Sequence, residues 1–217
     1  AVNLLASTES LIPRSAIDLL AEAKATADRY DNAADAVTAL RAMRRRELFR
    51  ISAADVLGLL DIEEVGNALT AVTTATISGT LLAIISQTPD APKFAVIAMG
   101  RYGGGDLSYG SDADVMFVYA DTPEPEQSAQ SAHAIANELR TLLMAASTDP
   151  ELAIDADLRP EGKSGPLVRS FSSFASYYEN WSSGWESQAL LRAKFVAGDD
   201  ELGERFIALI NPIRFKP

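Results

Sequence analysis

The most constraining feature of this sequence is a central stretch, residues 93–119, in which two apolar segments flank glycines and paired aspartates. Residues 93–99 read KFAVIAM and residues 112–119 read DADVMFVY, and both are short and rich in strand-forming residues. A glycine cluster lies between them. Backbone without side chains can approach an oxyanion closely and donate its N–H groups to phosphate oxygens. The stretch predicts two strands joined by a phosphate-binding loop.

Asp112 and Asp114 stand two residues apart at the start of the second predicted strand. Alternate residues of a strand point to the same face, so both carboxylates are expected on one face and Ala113, Val115 and Phe117 on the other. Carboxylates this close repel each other unless a positive charge lies between them. Mg²⁺ commonly joins one or two carboxylates to substrate phosphates. The pair therefore predicts a magnesium site.

A further acidic segment, residues 152–159, is predicted to form a third strand with an apolar and a polar face. Its polar face carries Asp155, Asp157 and Arg159. If this strand lies beside the first pair, three acids converge and can hold two metal ions that neutralise charge on a phosphoryl centre. The spacing leaves open whether Asp155 or Asp157 is the third ligand.

Helical periodicity dominates on both sides of the central stretch. It runs through residues 15–88, with breaks at Gly58 and Asp61 and a helix predicted from Ile62 to Ser86, and it returns over residues 127–146 and from Ser170 onward. The predicted fold is α+β, a mixed sheet with helices. We expect an N-terminal helical segment over residues 1–60, a catalytic core over residues 61–170, and the truncated start of a C-terminal helical bundle over residues 171–217.

Two clusters of large side chains also carry predictions. Arg44, Arg45 and Arg46 form a charge run of the kind that covers a solvated helix face. Trp181 and Trp185 are four residues apart, which predicts that they share a helical face and pack between bundle and core, with stacking on an adenine as the alternative.

The composition narrows the possible chemistry. The chain has no cysteine and only one histidine, His133, which excludes thiolate zinc sites and cysteine nucleophiles and leaves oxygen ligands, lysine and arginine. The net charge of −11 argues against a nucleic-acid partner. No apolar run approaches the roughly 20 residues needed to cross a bilayer, and no export signal is seen, so we expect a cytoplasmic protein without a membrane partner.

Several blocks of the sequence resemble one known family in the same order. The blocks are GRYGGGDLSYGSDADVMF (residues 100–117), IDADLRPEGKSGPLVRS (154–170), WESQALLRAKFVAGD (185–199) and RRRELFRISAADVLG (44–58). The glycine after a strand, followed by Asp-x-Asp, resembles the nucleotidyltransferase superfamily. Taken together, the blocks are similar to the glutamine synthetase adenylyltransferase family, and the similarity extends over most of the chain.

The resemblance implies an activity. The family carries two related nucleotidyltransferase domains, of which one attaches AMP from ATP to a tyrosine of glutamine synthetase and the other removes it by phosphorolysis. The block SYGSDADV is more similar to the attaching, C-terminal copy. The implied partners are glutamine synthetase, ATP and, through the full-length parent, the PII signalling protein. The alternatives are the adenylyl-removing copy and a catalytically silent nucleotide-binding regulatory module.

The resemblance also implies roles for individual residues, with Mg²⁺ as cofactor. Asp112, Asp114 and Asp155 match the catalytic, metal-binding carboxylates. Where the family often has arginine before Leu-Arg-Pro, this chain has Asp157, which leaves the third ligand open. The expected nucleotide-binding residues are Gly100, Arg101, Gly103, Gly104, Ser111, Arg159 and Lys163.

Overall fold

The fold combines long helices with a small mixed sheet in a computed structural model that describes residues 7–181 and 184–215. The α+β class expected from the sequence is confirmed. The elements are α1 (Ala16–Ala27), α2 (Ala33–Val56), α3 (Ile62–Ile85), β1 (Phe94–Ala98), α4 (Gly100–Gly104), β2 (Ala113–Tyr119), α5 (Pro125–Met144), β3 (Ile154–Asp155), β4 (Val168–Ser170), α6 (Phe171–Asn180), α7 (Gly184–Leu190), β5 (Lys194–Gly198) and α8 (Asp200–Arg214).

The long N-terminal helices begin at residues whose side chains cap them. Asn32 accepts a hydrogen bond from the amide of Asp35 at the start of α2. Asp61 and Glu64 form a reciprocal capping box at the start of α3. The bounds of α3 are therefore set locally, and the helix predicted from Ile62 to Ser86 is confirmed to within one residue.

The sheet is mixed and is built around β1 and β2. These two strands are antiparallel, with Val96 opposite Phe117, and β5 adds to the other edge of β1 in antiparallel orientation. Both β3 and β4 pair with β2 in parallel orientation, β3 at its beginning and β4 at its end. The acidic residues of β2 and β3 thereby come to neighbouring positions.

Helices cover both faces of the sheet. Val96, Val115 and Phe117 pack into a core shared with α1, α2, α3 and α5. Ile97 and Met116 point the other way, into a second core with residues from α6 and α8 such as Phe174. Each central strand is buried on both faces and contributes alternate residues to the two cores.

In the part of the chain that the structure describes, α3 has the length and apolar composition of a membrane-spanning helix. The most apolar 18-residue window of α3 is 67% buried, and the helix packs against α1 and α2. Core helices of globular proteins share this length and composition.

The prediction of a third strand over residues 152–159 is confirmed only for Ile154–Asp155. Only Ile154–Asp155 forms a strand, because the amide of Asp157 donates to Asp155 Oδ1 at 2.7 Å and turns the chain away from β2. Arg159 then closes a further turn, its amide donating to the carbonyl of Ala156 at 3.3 Å. A local side-chain bond thus competes with the sheet ladder.

Two further elements differ from the sequence expectation. The glycine cluster after β1 was expected to be a loop, but Gly100–Gly104 forms the short helix α4. Lys194–Gly198 falls within a segment with helical periodicity, yet it is the edge strand β5. Its partner β1 lies about 100 residues earlier in the chain, so local periodicity carried no signal for it.

Candidate metal centre

Three carboxylates meet where β2 begins. Asp114 lies opposite Asp155 in the parallel pairing of β2 with β3, and Asp112 directly precedes β2. One oxygen from each of the three side chains lies within 4.8 Å of the others. This is the convergence expected from the sequence, and it is produced by the register of one short strand pair.

The donor set suits a hard divalent cation. Carboxylates are acceptors only, and oxygen is the ligand that Mg²⁺ prefers. None of the ion pairs formed among residues 7–181 and 184–215 involves Asp112, Asp114 or Asp155. The three like charges are therefore left without a protein cation, and a bound divalent ion would offset their repulsion.

Asp114 lies partly buried beside the other two carboxylates. Partial burial, followed by the charges of Asp112 and Asp155, raises the pKa of Asp114 to about 6. Both causes disfavour the ionised carboxylate. At neutral pH the side chain is still mostly ionised, so it can act as a ligand, but protons compete with a cation as the pH falls toward 6.

Gly100 lets the backbone lie against this cluster. It follows β1 directly, it adopts a φ of +51°, and a methyl group at its Cα would overlap Asp114 Oδ2. The amide of Met99 donates to the carbonyl of Asp114 at 2.8 Å, which fixes the two segments together. Glycine is required here on two grounds, the positive φ and the missing side chain.

The other glycines of the cluster have a packing reason. A side chain at Gly103 would overlap the carbonyl oxygen of Arg192, and one at Gly104 would crowd the guanidinium of Arg192. The amide of Gly103 already donates to the carbonyl of Met99 at 2.7 Å. These contacts explain the two glycines through packing against the start of β5, and their role in nucleotide binding stays a prediction.

Arg101 and Ser111 stabilise the loop that leads to Asp112. Arg101 Nε donates to the carbonyl of Asp106 at 3.1 Å. The hydroxyls of Ser108 and Ser111 are 2.9 Å apart, and the amide of Ser111 donates to the carbonyl of Ser108. These bonds give both residues a structural role, and nucleotide contact by either residue stays a prediction.

Asp155 and Asp157, the two alternatives for the third ligand, have different surroundings. Asp155 joins the carboxylate cluster, whereas Asp157 pairs with Lys163 at 3.1 Å and with Arg159 at 3.4 Å. Arg159 also donates to the carbonyls of Ala156, Lys163 and Gly165. The two basic residues thus order the loop after β3, and their expected contact with a triphosphate is untested.

The solvated helix face expected for the arginine run is confirmed for Arg45 and Arg46, which are exposed, and is wrong for Arg44. The packing expected for the tryptophans is also wrong. Arg44 is buried rather than solvated, and it donates to the carbonyls of Pro150 and Glu151. Trp181 and Trp185 are exposed to 74% and 48%, so they do not form the predicted packing contact between bundle and core.

Two side-chain contacts near the site were not predicted from the sequence. Arg192 pairs with Asp106 at 2.8 Å beside Gly104, and the hydroxyl of Tyr109 donates to Asp55 Oδ2 at 2.9 Å. The partners in each pair are more than 50 residues apart, so no local pattern could have identified them. Only the tertiary structure brings the partners of each pair together.

A mixed sheet covered by helices, with two acids at the start of one strand and a third on its parallel neighbour, defines a nucleotidyltransferase-type domain. A family model described as glutamate-ammonia ligase adenylyltransferase matches residues 3–208. The chain belongs to this family.

Similar proteins are long bacterial enzymes, each named bifunctional glutamine synthetase adenylyltransferase/adenylyl-removing enzyme. The one from Streptomyces coelicolor is 48% identical over 223 residues, covering 94% of this chain and 22% of the relative. The one from Mycobacterium tuberculosis is 50% identical over 204 residues, covering 89% of this chain and 20% of the relative. The chain thus spans about a fifth of the length of the curated relatives it matches.

Proposed function

We propose that this chain is a catalytic domain that transfers AMP from ATP to a tyrosine of glutamine synthetase and so regulates nitrogen assimilation. The observation that carries the proposal is the convergence of Asp112, Asp114 and Asp155 at the start of β2. Family membership supports it, because the relatives are named for adenylylation of glutamine synthetase. The block SYGSDADV favours the attaching copy over the adenylyl-removing copy.

In the proposed reaction the tyrosine hydroxyl oxygen attacks the α-phosphorus of ATP in line. A new phosphorus–oxygen bond forms, the bond from the α-phosphorus to pyrophosphate breaks, and the phenolic proton is released to solvent. Mg²⁺ held by Asp112, Asp114 and Asp155 supplies positive charge that neutralises the triphosphate. Gly100 keeps the space beside Asp114 free of a side chain. The exposed Lys163 and Arg101 are the proposed cationic contacts to the nucleotide.

The same proposal includes a regulatory partner, a division of the chain and a cellular location. The PII signalling protein would act through the full-length parent. The proposed division is an N-terminal helical segment over residues 1–60, the catalytic core over residues 61–170, and a mainly helical segment over residues 171–217, which also supplies β5 to the sheet of the core. A cytoplasmic location follows from the proposed substrates, since ATP and glutamine synthetase are cytoplasmic.

The test supplies the protein with ATP labelled in the α-phosphate, Mg²⁺ and unmodified glutamine synthetase. Label that becomes bound to a tyrosine of glutamine synthetase supports the proposal, and Asp114→Asn is expected to abolish it. Release of ADP from adenylylated glutamine synthetase and phosphate, without the forward transfer, would identify the removing copy instead. Nucleotide binding without either reaction, beside an active longer protein, would identify a silent regulatory module.

A further inference from the structure

Helix α2 contacts both of the segments that lead into the carboxylate cluster. Near its C-terminal end, Asp55 accepts the hydrogen bond from Tyr109, which precedes Asp112 by three residues. Nearer its middle, Arg41 and Arg44 bind residues 149–151, which precede Asp155 by four to six residues. Arg44 and Asp55 are separated by about 17 Å of helix. One rigid element thus holds two otherwise separate loops.

The first contact reaches Asp112 through a closed turn. The amide of Ser111 donates to the carbonyl of Ser108 at 3.1 Å, and the amide of Ser108 donates to the hydroxyl of Ser111 at 3.1 Å. Tyr109 lies between these two residues, and its hydroxyl donates to Asp55 Oδ2 at 2.9 Å. Ser108 and Ser111 are bonded to each other on either side of Tyr109. The bond from Tyr109 to α2 therefore also fixes the position of the backbone that leads to Asp112.

The second contact reaches Asp155 through backbone carbonyls. Arg41 Nη2 donates to the carbonyl of Asp149 at 3.0 Å. Arg44 Nη1 donates to the carbonyls of Pro150 and Glu151, each at 3.1 Å. The next residue, Leu152, is buried and its amide donates to the carbonyl of Leu143 at 3.0 Å. The chain therefore enters β3 from a fixed point.

The burial of two arginines is a costly way to hold a loop. Arg41 and Arg44 are both buried, and neither has a carboxylate within ion-pair distance among the described residues. Burial, with a smaller effect from Arg41, lowers the pKa of Arg44 to about 10. Apolar side chains of similar volume would avoid this desolvation. What the arginines provide, and apolar residues cannot, is directional bonding to three successive carbonyls.

We propose that α2 is a positioning element for the cation site, with the Asp55–Tyr109 hydrogen bond setting the place of Asp112 and the Arg41 and Arg44 contacts setting the place of Asp155. The proposal rests on the proposed function, in that it takes the three carboxylates as a cation site. Asp55, Tyr109, Arg41 and Arg44 touch neither the cation nor the nucleotide and act through the loops that they hold.

The surface hydrogen bond gives the clearest test, because Tyr109 and Asp55 can be changed without opening the core. Mn²⁺ binding is titrated by electron paramagnetic resonance in the wild type, Tyr109→Phe, Asp55→Ala, the double variant and Asp55→Asn. We expect Tyr109→Phe and Asp55→Ala each to weaken Mn²⁺ binding by roughly 10-fold. The double variant is expected to be no weaker than Tyr109→Phe, since the bond to Asp55 is already absent in that single variant.

Two comparisons separate positioning from general loss of structure. Asp55→Asn keeps an oxygen that accepts the tyrosine hydroxyl and is expected to retain wild-type affinity. Tyr30→Phe removes the hydroxyl of another partly exposed tyrosine, at the end of α1, and is expected to change nothing. Thermal unfolding of all variants is measured alongside, and equal midpoints are expected.

The outcomes distinguish this inference from the proposed function. Mn²⁺ binding to the wild type with unchanged affinity in Tyr109→Phe and Asp55→Ala would overturn the positioning role and leave the cation site intact. Absence of Mn²⁺ binding to the wild type would overturn both. Independent, multiplicative losses in the double variant would also contradict the inference, because they would show that the two side chains do not act through one bond.

Discussion

Asp114 and Asp155 lie directly opposite each other on adjacent parallel strands, and each carries an uncompensated carboxylate at the start of the sheet. Parallel pairing over only two residues is enough to bring them together with Asp112. Like charges are tolerated at such a separation when a cation lies between them. The proposed metal centre is thus a consequence of strand register, and the role of each carboxylate can be tested by substitution.

Substitution within the cluster should abolish cation binding without unfolding the protein. We expect Asp155→Asn to lower Mn²⁺ affinity by at least roughly 100-fold, because a carboxylate that contacts the ion directly is replaced by a neutral amide. Asp157→Asn is the matched control, since Asp157 pairs with Lys163 and lies outside the cluster. Calorimetric titration with Mn²⁺ compares the two variants. Equal losses in both would contradict the assignment of Asp155 as the third ligand.

The raised pKa of Asp114 makes the cation-free protein sensitive to pH. Its folded pKa of about 6 lies above the ordinary aspartate value of 3.8, so its ionisation destabilises the fold as the pH rises through this interval. Asp114→Asn should therefore stabilise the cation-free protein at pH 7.5, on the order of 1 kcal/mol after allowance for solvent screening. At pH 5 the gain should shrink, because the wild-type side chain is then largely protonated.

Urea unfolding in EDTA at both pH values measures this difference. A gain of the same size at pH 5 and pH 7.5 would show that ionisation of Asp114 is not its origin. Excess Mg²⁺ should reverse the order of stability at pH 7.5, because only the wild type retains all three ligands.

Gly100 should be intolerant of even a methyl group. Gly100→Ala introduces a side chain that overlaps Asp114 Oδ2 at a φ of +51°, and we expect a loss of roughly 1–3 kcal/mol in the free energy of unfolding, together with weaker cation binding. Gly110→Ala is the control, since nothing lies within 4 Å of its Cβ position. Urea unfolding followed by circular dichroism gives the free energy of unfolding of both variants, and titration with Mn²⁺ gives their cation affinity. Similar effects at the two positions would contradict the close approach at Gly100.

Arg44 should matter for stability far more than its neighbour in the sequence. Arg44→Ala leaves the carbonyls of Pro150 and Glu151 without their donor, which should cost about 3 kcal/mol. Arg45→Ala removes an ion pair in which Arg45 is 54% exposed and Asp149 is buried, and should cost about 1 kcal/mol. Guanidinium unfolding compares them. A larger loss for Arg45→Ala would show that the buried contacts are not what holds this loop.

Part of the carboxylate cluster and the start of α3 could be predicted, because they depend on residues that are close together in the sequence. The two-residue spacing of Asp112 and Asp114 places both carboxylates on one side of β2, and the apolar residues that follow identify the strand itself. The capping residues Asp61 and Glu64 similarly mark the start of α3. Each of these features depends on residues within one turn or one strand.

The remaining features depend on contacts between distant parts of the chain. Periodicity could not choose between Asp155 and Asp157, because the choice depends on the register of β3 against β2 and on the turn after Asp155. A run of arginines predicts a solvated surface, but Arg44 is buried by a loop more than 100 residues away. Strand β5 forms only because the edge of β1 is available. The surroundings of Asp155, the burial of Arg44 and the formation of β5 are therefore determined by tertiary contacts.

Anomalous diffraction from crystals grown with Mn²⁺ and a non-hydrolysable ATP analogue would test the cation site directly. A manganese peak within about 2.5 Å of carboxylate oxygens from Asp112, Asp114 and Asp155, with triphosphate oxygens completing the coordination, is the predicted result. Nucleotide bound elsewhere, or a manganese peak that excludes these three residues, would contradict it.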